Sequence, residues 1–384
     1  MYRQEDMDGW NGWTFLVNHH QTSLQHLTVD TWIMMAKHFC IAVAGCSQLK
    51  TLKLTGRLID PLIAPALWSA CRAAKMINTL HLEHTALPKW NQEFEEGTAT
   101  HIRRLIIVEP QKSCDGLDLL QHCPQLQYLH WRDSESVLFP LRKVAESLLR
   151  GQWPHLEELD LTLYDSEDQD LAMMIEGITR LVTLHMEFSA FGPKSLQAMS
   201  KHFSTIRTLN VAVCMYVSSS MIQTILSSMP ALESLKTDRI HYLDIVNGTP
   251  WVSLHLQQLI INVDMGTRQK DSDNNFAAHQ RIVFERLSTL VRLRVLDLTR
   301  TSPTKSARVL DLRLSAGLGA LSTLRELESF SFKSHTQQMS MDDIRWIITS
   351  WPQLRKISGR FAADPDHYYE IKHLLNSHKI LVFD

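Results

Sequence analysis

The sequence contains no run of about 18 apolar residues, so no membrane-spanning helix is expected. Its first ten residues include Arg3, Glu5, Asp6 and Asp8 and no apolar core, which argues against a secretory signal. Neither sign of charge prevails: 39 Lys and Arg stand against 41 Asp and Glu, for a formal charge of −2. That balance gives none of the basic excess expected of a nucleic-acid or anionic-membrane binder, and neither partner is expected. The six cysteines (40, 46, 71, 114, 123 and 214) have neither metal-ligand nor paired spacing. They are expected to be reduced and mostly buried, which points to the cytoplasm or nucleus. Catalytic signatures are missing too. Gly192-Pro193-Lys194-Ser195 has no upstream glycine to complete a phosphate-binding loop, and His81-Leu82-Glu83-His84 spaces its histidines three apart where a metalloprotease needs four. No serine elbow or dinucleotide-binding glycine pattern occurs, and no acid, base and nucleophile converge, so no enzyme, cofactor or catalytic residue is expected.

What is present is a repeat. An apolar residue, two variable residues, an apolar residue, one variable residue and a further apolar residue recur from Leu24 (Leu24, Leu27, Val29) and Leu49 (Leu49, Leu52, Leu54) onward. Further copies start at Ile77, Ile102, Leu126, Leu156, Leu181, Ile206, Leu232 and Leu256, and then at Leu293, Leu327 and Leu354. The steps are 24 to 30 residues as far as Leu256, then 37, 34 and 27. Chance does not produce thirteen copies at such spacing. Thr237 and Gly359 stand at third apolar positions, so those two copies are degenerate.

Alternation with period two inside each motif predicts a short strand with its apolar residues turned inward. Between motifs, helical periodicity covers 169–178 (Leu171, Met174, Ile175), 218–229 (Met221, Ile222, Ile225) and 341–351 (Ile344, Ile347, Ile348). Pro124, Pro154, Pro230 and Pro352 stand two residues before a motif, where proline ends a helix and biases its predecessor toward extended backbone. The fold expected is an α/β leucine-rich-repeat solenoid, a horseshoe with a parallel sheet on the concave face and helices outside. Residues 24–363 would hold the thirteen repeats as one continuous solenoid domain. Residues 1–23 would cap them through Trp10, Trp13, Phe15 and Val17, and 364–384 would close them with a helix (366–376) and a strand (379–383). The two long steps insert polar loops at 262–279 and 299–315, either disordered or functional.

Cys123-Pro124-Gln125-Leu126-Gln127-Tyr128-Leu129 and Trp153-Pro154-His155-Leu156-Glu157-Glu158-Leu159-Asp160-Leu161 resemble repeats of the cysteine-containing leucine-rich class. That class forms the target-binding half of F-box proteins and is related to ribonuclease-inhibitor-like folds. The irregular, tryptophan-rich style resembles fungal F-box/leucine-rich-repeat proteins, from residue 24 to the end. The resemblance implies a protein-protein interaction scaffold, either a substrate-recognition module for ubiquitin ligation or a stand-alone inhibitor or adaptor. The sequence departs from the pattern at the position eight after each motif start, where only Cys214 is cysteine and Thr85, Ser134, Ser189 and Thr301 are small polar substitutes. No F-box is visible: the sole Leu-Pro pair, Leu87-Pro88, sits inside the third repeat, and the sequence leaves open whether an F-box lies upstream in a longer product.

Third, fifth and seventh motif positions should project from the concave face. Around the middle of the repeats they bring together Tyr128, His130 and Arg132, then Glu158 and Asp160, then His185 and Glu187. Aromatic and arginine groups beside acids are the anchors that protein interfaces favour, so these seven residues form the expected site for a protein partner, bound by a monomer. His130, Asp160 and His185 share one column with spacing that permits zinc, but no second shell accompanies them and no metal is expected. The C-terminal end turns basic, with Lys333, Lys356 and Arg360, which suits a partner of mixed charge. Trp68, Trp90, Trp153, Trp251, Trp346 and Trp351 lie near helices or corners and are expected to pack.

Overall fold

The computed structural model describes residues 12, 14–30, 37–56, 64–85, 100–111, 116–134, 137–266, 273–299 and 308–383, in two compact units, 1–199 and 200–384. In the first unit the described residues form β1 (His26–Asp30), β2 (Thr51–Thr55), β3 (Thr79–Glu83), β4 (Arg104–Val108), β5 (Tyr128–Arg132), β6 (Glu158–Thr162) and β7 (Thr183–His185). The second unit has β8 (Thr208–Asn210), β9 (Ser234–His241), β10 (Gln258–Asp264), β11 (Val295–Asp297), β12 (Ser329–Thr336), β13 (Lys356–Arg360) and β14 (Leu381–Phe383). Within each unit the strands are parallel and ordered as in the chain. Each unit is a leucine-rich-repeat solenoid.

Register explains why the motif folds this way. Leu27, Leu52, Leu80, Leu105, Leu129, Leu159 and Leu184 pair strand to strand in a single column. All seven are buried, Leu27 being the most accessible at 6%. A second buried column runs through Val29, Leu54, Leu82, Ile107, Trp131 and Leu161. A slip of one residue would turn both columns out to solvent, so burial fixes the register.

Helices connect most strands. Examples are α1 (Lys37–Ala44), α2 (Ala64–Ala73), α3 (Gly116–Gln121), α4 (Leu141–Leu149), α5 (Asp168–Gly177) and α6 (Pro193–Met199) in the first unit. The second has α7 (Ser219–Ser228), α8 (Tyr242–Asn247), α9 (Asp273–Ser288), α10 (Met341–Ser350) and α11 (Pro365–Ser377). The helices expected at 169–178, 218–229, 341–351 and 366–376 are α5, α7, α10 and α11. Ser218 caps α7 by accepting from the Met221 N–H, and Ser340 and Asp343 form a capping box on α10.

Three tryptophans tie a helix corner to the preceding repeat. The Trp153 indole donates to the Leu120 carbonyl at 2.9 Å, Trp351 to that of Leu321 at 2.9 Å, and Trp251 to Gln223 Oε1 at 2.9 Å. Trp346 lies edge-on to Trp351. The side chain of Trp68, and Trp90 with Leu87-Pro88, lie outside the described residues. Gly359 is explained by its neighbour: a Cβ there would approach the Phe332 ring to 2.5 Å, so the aromatic on β12 fills the missing side chain's space. Thr237, the other degenerate position, is buried at 4% exposure.

Several expectations need correction. The segments 262–279 and 299–315 are not simply loops. β10 runs on to Asp264 and α9 begins at Asp273, with Val263 and Met265 buried. Leu310 and Leu312 are also buried, and Gln337 Oε1 accepts the Leu312 N–H at 3.0 Å, so apolar residues dispersed among polar ones fasten much of both segments. Residues 267–272 and 300–307, Thr301 among them, lie outside the described residues. Between β11 and β12 the chain returns through two 3₁₀ turns, Leu314–Ala316 and Leu318–Thr323, joined at Gly317 with φ +115°. At the N-terminal end Val17 is buried, but Phe15 is 69% exposed and stacks on His19, so it does not shield the first repeat. Trp10 and Trp13 lie outside the described residues. The described cysteines, Cys40, Cys46, Cys71, Cys123 and Cys214, are buried and form no disulfide. Burial pushes the Cys40 and Cys123 thiols up to about 12, which makes poor nucleophiles of them.

Candidate functional site

The expected site residues occupy the face of the first unit's sheet opposite its buried leucine columns. Tyr128↔Glu158, His130↔Asp160 and Arg132↔Thr162 are register partners on β5 and β6, and Asp160↔His185 continues onto β7. Tyr128, His130, Glu158, Asp160, His185 and Glu187 are half-buried and Arg132 is exposed. β7 stops at His185, so Glu187 sits in the following turn instead of on the strand.

Three rows of side chains cross these strands. In the first, the Arg104 guanidinium lies over the Tyr128 ring, 3.9 Å from its centroid, and reaches Glu158 at 3.9 Å. A cation over an aromatic face is attractive, and the stack holds the tyrosine flat between β4 and β6. Burial pushes the Tyr128 hydroxyl up to about 12, with the Asp160 and Glu158 charges adding to the effect, so the phenol stays protonated. The second row centres on Asp160, whose Oδ2 is 2.9 Å from His130 Nδ1 and 3.6 Å from His185 Nδ1. Burial alone would raise this carboxyl, but hydrogen bonds and charge from the two imidazoles outweigh it and hold it well below the usual carboxylate range. In the third row Arg132 is 3.3 Å from Glu109, which also contacts His84 at 3.3 Å. Toward β2, Lys53 meets Glu83 at 3.0 Å; its hydrogen bond lowers the Glu83 carboxyl, while burial first and the Lys53 charge second lower His81.

An imidazole whose Nδ1–H points at a carboxylate presents Nε2 as an acceptor when neutral and as a donor when charged. The face therefore offers a flat aromatic, a guanidinium and two oriented imidazoles, each already held in place. Preorganised groups lose less entropy on binding. Among the described residues no group of three or more His, Cys, Asp or Glu side chains is arranged to hold a metal ion. Asp160 instead serves as the hinge of the row, which gives an expected result. Its stabilising contribution is present above the unfolded-state pKa and is lost as pH falls through the depressed folded-state value. Asp160→Asn should unfold at lower urea than wild type near neutral pH, and the gap should close progressively in acid. A gap independent of pH would contradict the charge-based account.

Arg104, Glu109 and His84 were not among the expected site residues. Arg104 occupies the third position of the Ile102 motif, one repeat before Tyr128, so stacking the motifs in register would have exposed it. Glu109 and His84 lie one residue past their strands with φ of +47° and +53°, a turn geometry that the spacing of apolar residues does not report.

No protein-family model matches the chain, and no curated protein matches it. Solved structures do resemble it. An internalin (inlF) from Listeria monocytogenes is 12% identical with a TM-score of 0.49, over 98% of this chain and 94% of that one. A chain of the TLR13–ssRNA13 complex is 11% identical with a TM-score of 0.40, over 95% and 62%. A chain of the yeast Rad7 and Elc1 complex is 14% identical with a TM-score of 0.41, over 91% and 72%. The leucine-rich-repeat architecture stands on the strand order and register themselves.

The Gly192-Pro193-Lys194-Ser195 segment has its own occupant. The Asp168 carboxylate, from the start of α5, accepts the N–H groups of Gly192, Lys194 and Ser195 and the Ser195 hydroxyl at 2.6 to 3.0 Å. An anion from the preceding repeat thus caps α6 and fills the place a phosphate would take.

Proposed function

We propose that the chain is a non-catalytic scaffold that grips a protein partner with the open face of β4–β7. The observation that carries this reading is the stack of Arg104 on Tyr128 beside Arg132 and the row His130–Asp160–His185. Tyrosine and arginine are the residue types that most often dominate binding energy at protein interfaces, and here they stand on rigid strands. In the F-box/leucine-rich-repeat proteins that the repeats resemble, this half of the molecule holds a target for ubiquitin ligation. We infer the same target-recognition role here, for a monomer in the cytoplasm or nucleus.

Affinity capture with the tagged full chain, followed by quantitative mass spectrometry, tests the reading. The partner should be depleted from Tyr128→Ala/Arg132→Ala and retained by Lys194→Ala/Lys201→Ala, whose lysines are exposed on the helical side. Recovery of cullin-ligase subunits with the partner supports the ubiquitin role. A stable complex without them supports an inhibitor or adaptor instead. Equal recovery by both variants would sink the open-face assignment.

A further inference from the structure

Several exposed cations in this chain face a carboxylate. In the second unit Arg207 meets Glu233 at 3.1 Å, Arg239 meets Asp264 at 3.4 Å and Arg294 meets Glu328 at 3.9 Å. Lys333, Lys356 and Arg360 form a local cluster without one: all three are exposed, and none pairs with a carboxylate among the described residues. They share one end of the second unit's sheet. Lys356 and Arg360 bound β13, and Lys333 leaves β12 where its register shifts between Ser331 and Thr336. Between the cations stand two small side chains, the register partners Ser331 and Ser358, both buried, with Ser331 Oγ 2.8 Å from Thr299 Oγ1. Beside them stand two outward apolar side chains of β14, Leu381 at 61% and Phe383 at 42% exposure, aligned with Lys356 and Ser358 respectively. Lys356 Nζ lies 4.9 Å from the Phe383 ring centroid, and Arg360 donates to the Ala363 carbonyl at 3.3 Å. Among the described residues Asp297, aligned with Ser331 on β11, is a neighbouring acid, and its carboxylate accepts the Thr299 N–H at 2.8 Å.

We propose that the open face of β12–β14 is a second docking site, for an extended acidic segment of a partner protein that carries apolar side chains. Its carboxylates would meet Lys333, Lys356 and Arg360, its backbone would lie over the two serines, and an apolar side chain would cover Leu381 and Phe383. The charge complementarity is local: the whole chain has 39 basic against 41 acidic residues, which does not favour a polyanion such as nucleic acid, and the exposed apolar pair calls for a peptide.

The test uses the full chain and a fluorescein-labelled synthetic peptide of acidic pairs alternating with single phenylalanines, followed by fluorescence anisotropy. The peptide should bind, more weakly as salt rises, and Lys333→Glu/Lys356→Glu/Arg360→Glu should weaken it at least about tenfold. The glutamine triple variant, which avoids like-charge repulsion, should weaken it in the same direction, and Phe383→Ser should do so separately. Tyr128→Ala/Arg132→Ala should bind the peptide as wild type does, which separates this site from the face of the first unit. No binding, binding unchanged in both triple variants, or equal binding of a single-stranded oligodeoxynucleotide would overturn the proposal.

Discussion

Leu159→Ala is expected to destabilise the protein by about 2–5 kcal/mol. Leu159 is fully buried and stands between Leu129 and Leu184 in the apolar column, so truncation leaves a cavity lined by two neighbouring strands. Close packing there offers little room for collapse, because β5, β6 and β7 are held in register by parallel ladders on both sides of the site. In a solenoid each repeat packs only on its neighbours, so the loss should also broaden the transition by weakening coupling across the break. Leu149→Ala, at the end of α4 and 50% exposed, is the matched comparison and should change the midpoint little. Urea titrations of the two variants decide it. An unchanged midpoint for Leu159→Ala would mean that the column is misassigned.

The second large effect concerns Asp133, which is 1% exposed and lies directly after β5. Its carboxylate accepts the Trp131 indole N–H at 3.0 Å, the Phe139 N–H at 2.7 Å and the Tyr164 N–H at 3.2 Å. One side chain thus fastens the turn after β5 to the chain after β6. Burial pushes the carboxyl up, and the three N–H donors act in the opposite direction. Asp133→Ala leaves those donors without an acceptor, at about 1–3 kcal/mol for each one that water does not reach, so a loss of about 3 kcal/mol or more is expected. Asp133→Asn keeps one carbonyl oxygen and should cost less. Thermal denaturation of the two variants should rank them in that order, and equal midpoints would contradict the hydrogen-bonded role.

How much of this was legible in the sequence depends on the range of the interaction. The motif starts at Leu24, Leu49, Leu126 and Leu156 each lie two residues before an observed strand, at His26, Thr51, Tyr128 and Glu158. Period-two burial and a near-constant step are local signals, and they set strand, register and order together. The same reasoning brought Tyr128, His130, Glu158, Asp160 and His185 onto one face. Their partners were harder to see. Arg104 on Tyr128, and Asp168 on the N-terminus of α6, are contacts between residues roughly one repeat apart, which single-motif reading does not compare. Asp133 carries no sequence signal, because nothing in its neighbours announces that Phe139 and Tyr164 direct their amides to it. The segments 262–279 and 299–315 were misread as loops since polar residues mask Val263, Leu310 and Leu312, which the fold buries.

The most direct measurement is a titration of the captured partner against the purified chain, with circular dichroism as the check on folding. Tyr128→Ala/Arg132→Ala should keep the wild-type spectrum and raise Kd at least about tenfold, as expected when a tyrosine and an arginine anchor are both removed. Lys194→Ala/Lys201→Ala should leave Kd within about twofold. If the helical-side pair abolishes binding while the strand pair binds as wild type does, the open face of β4–β7 is not where the partner sits.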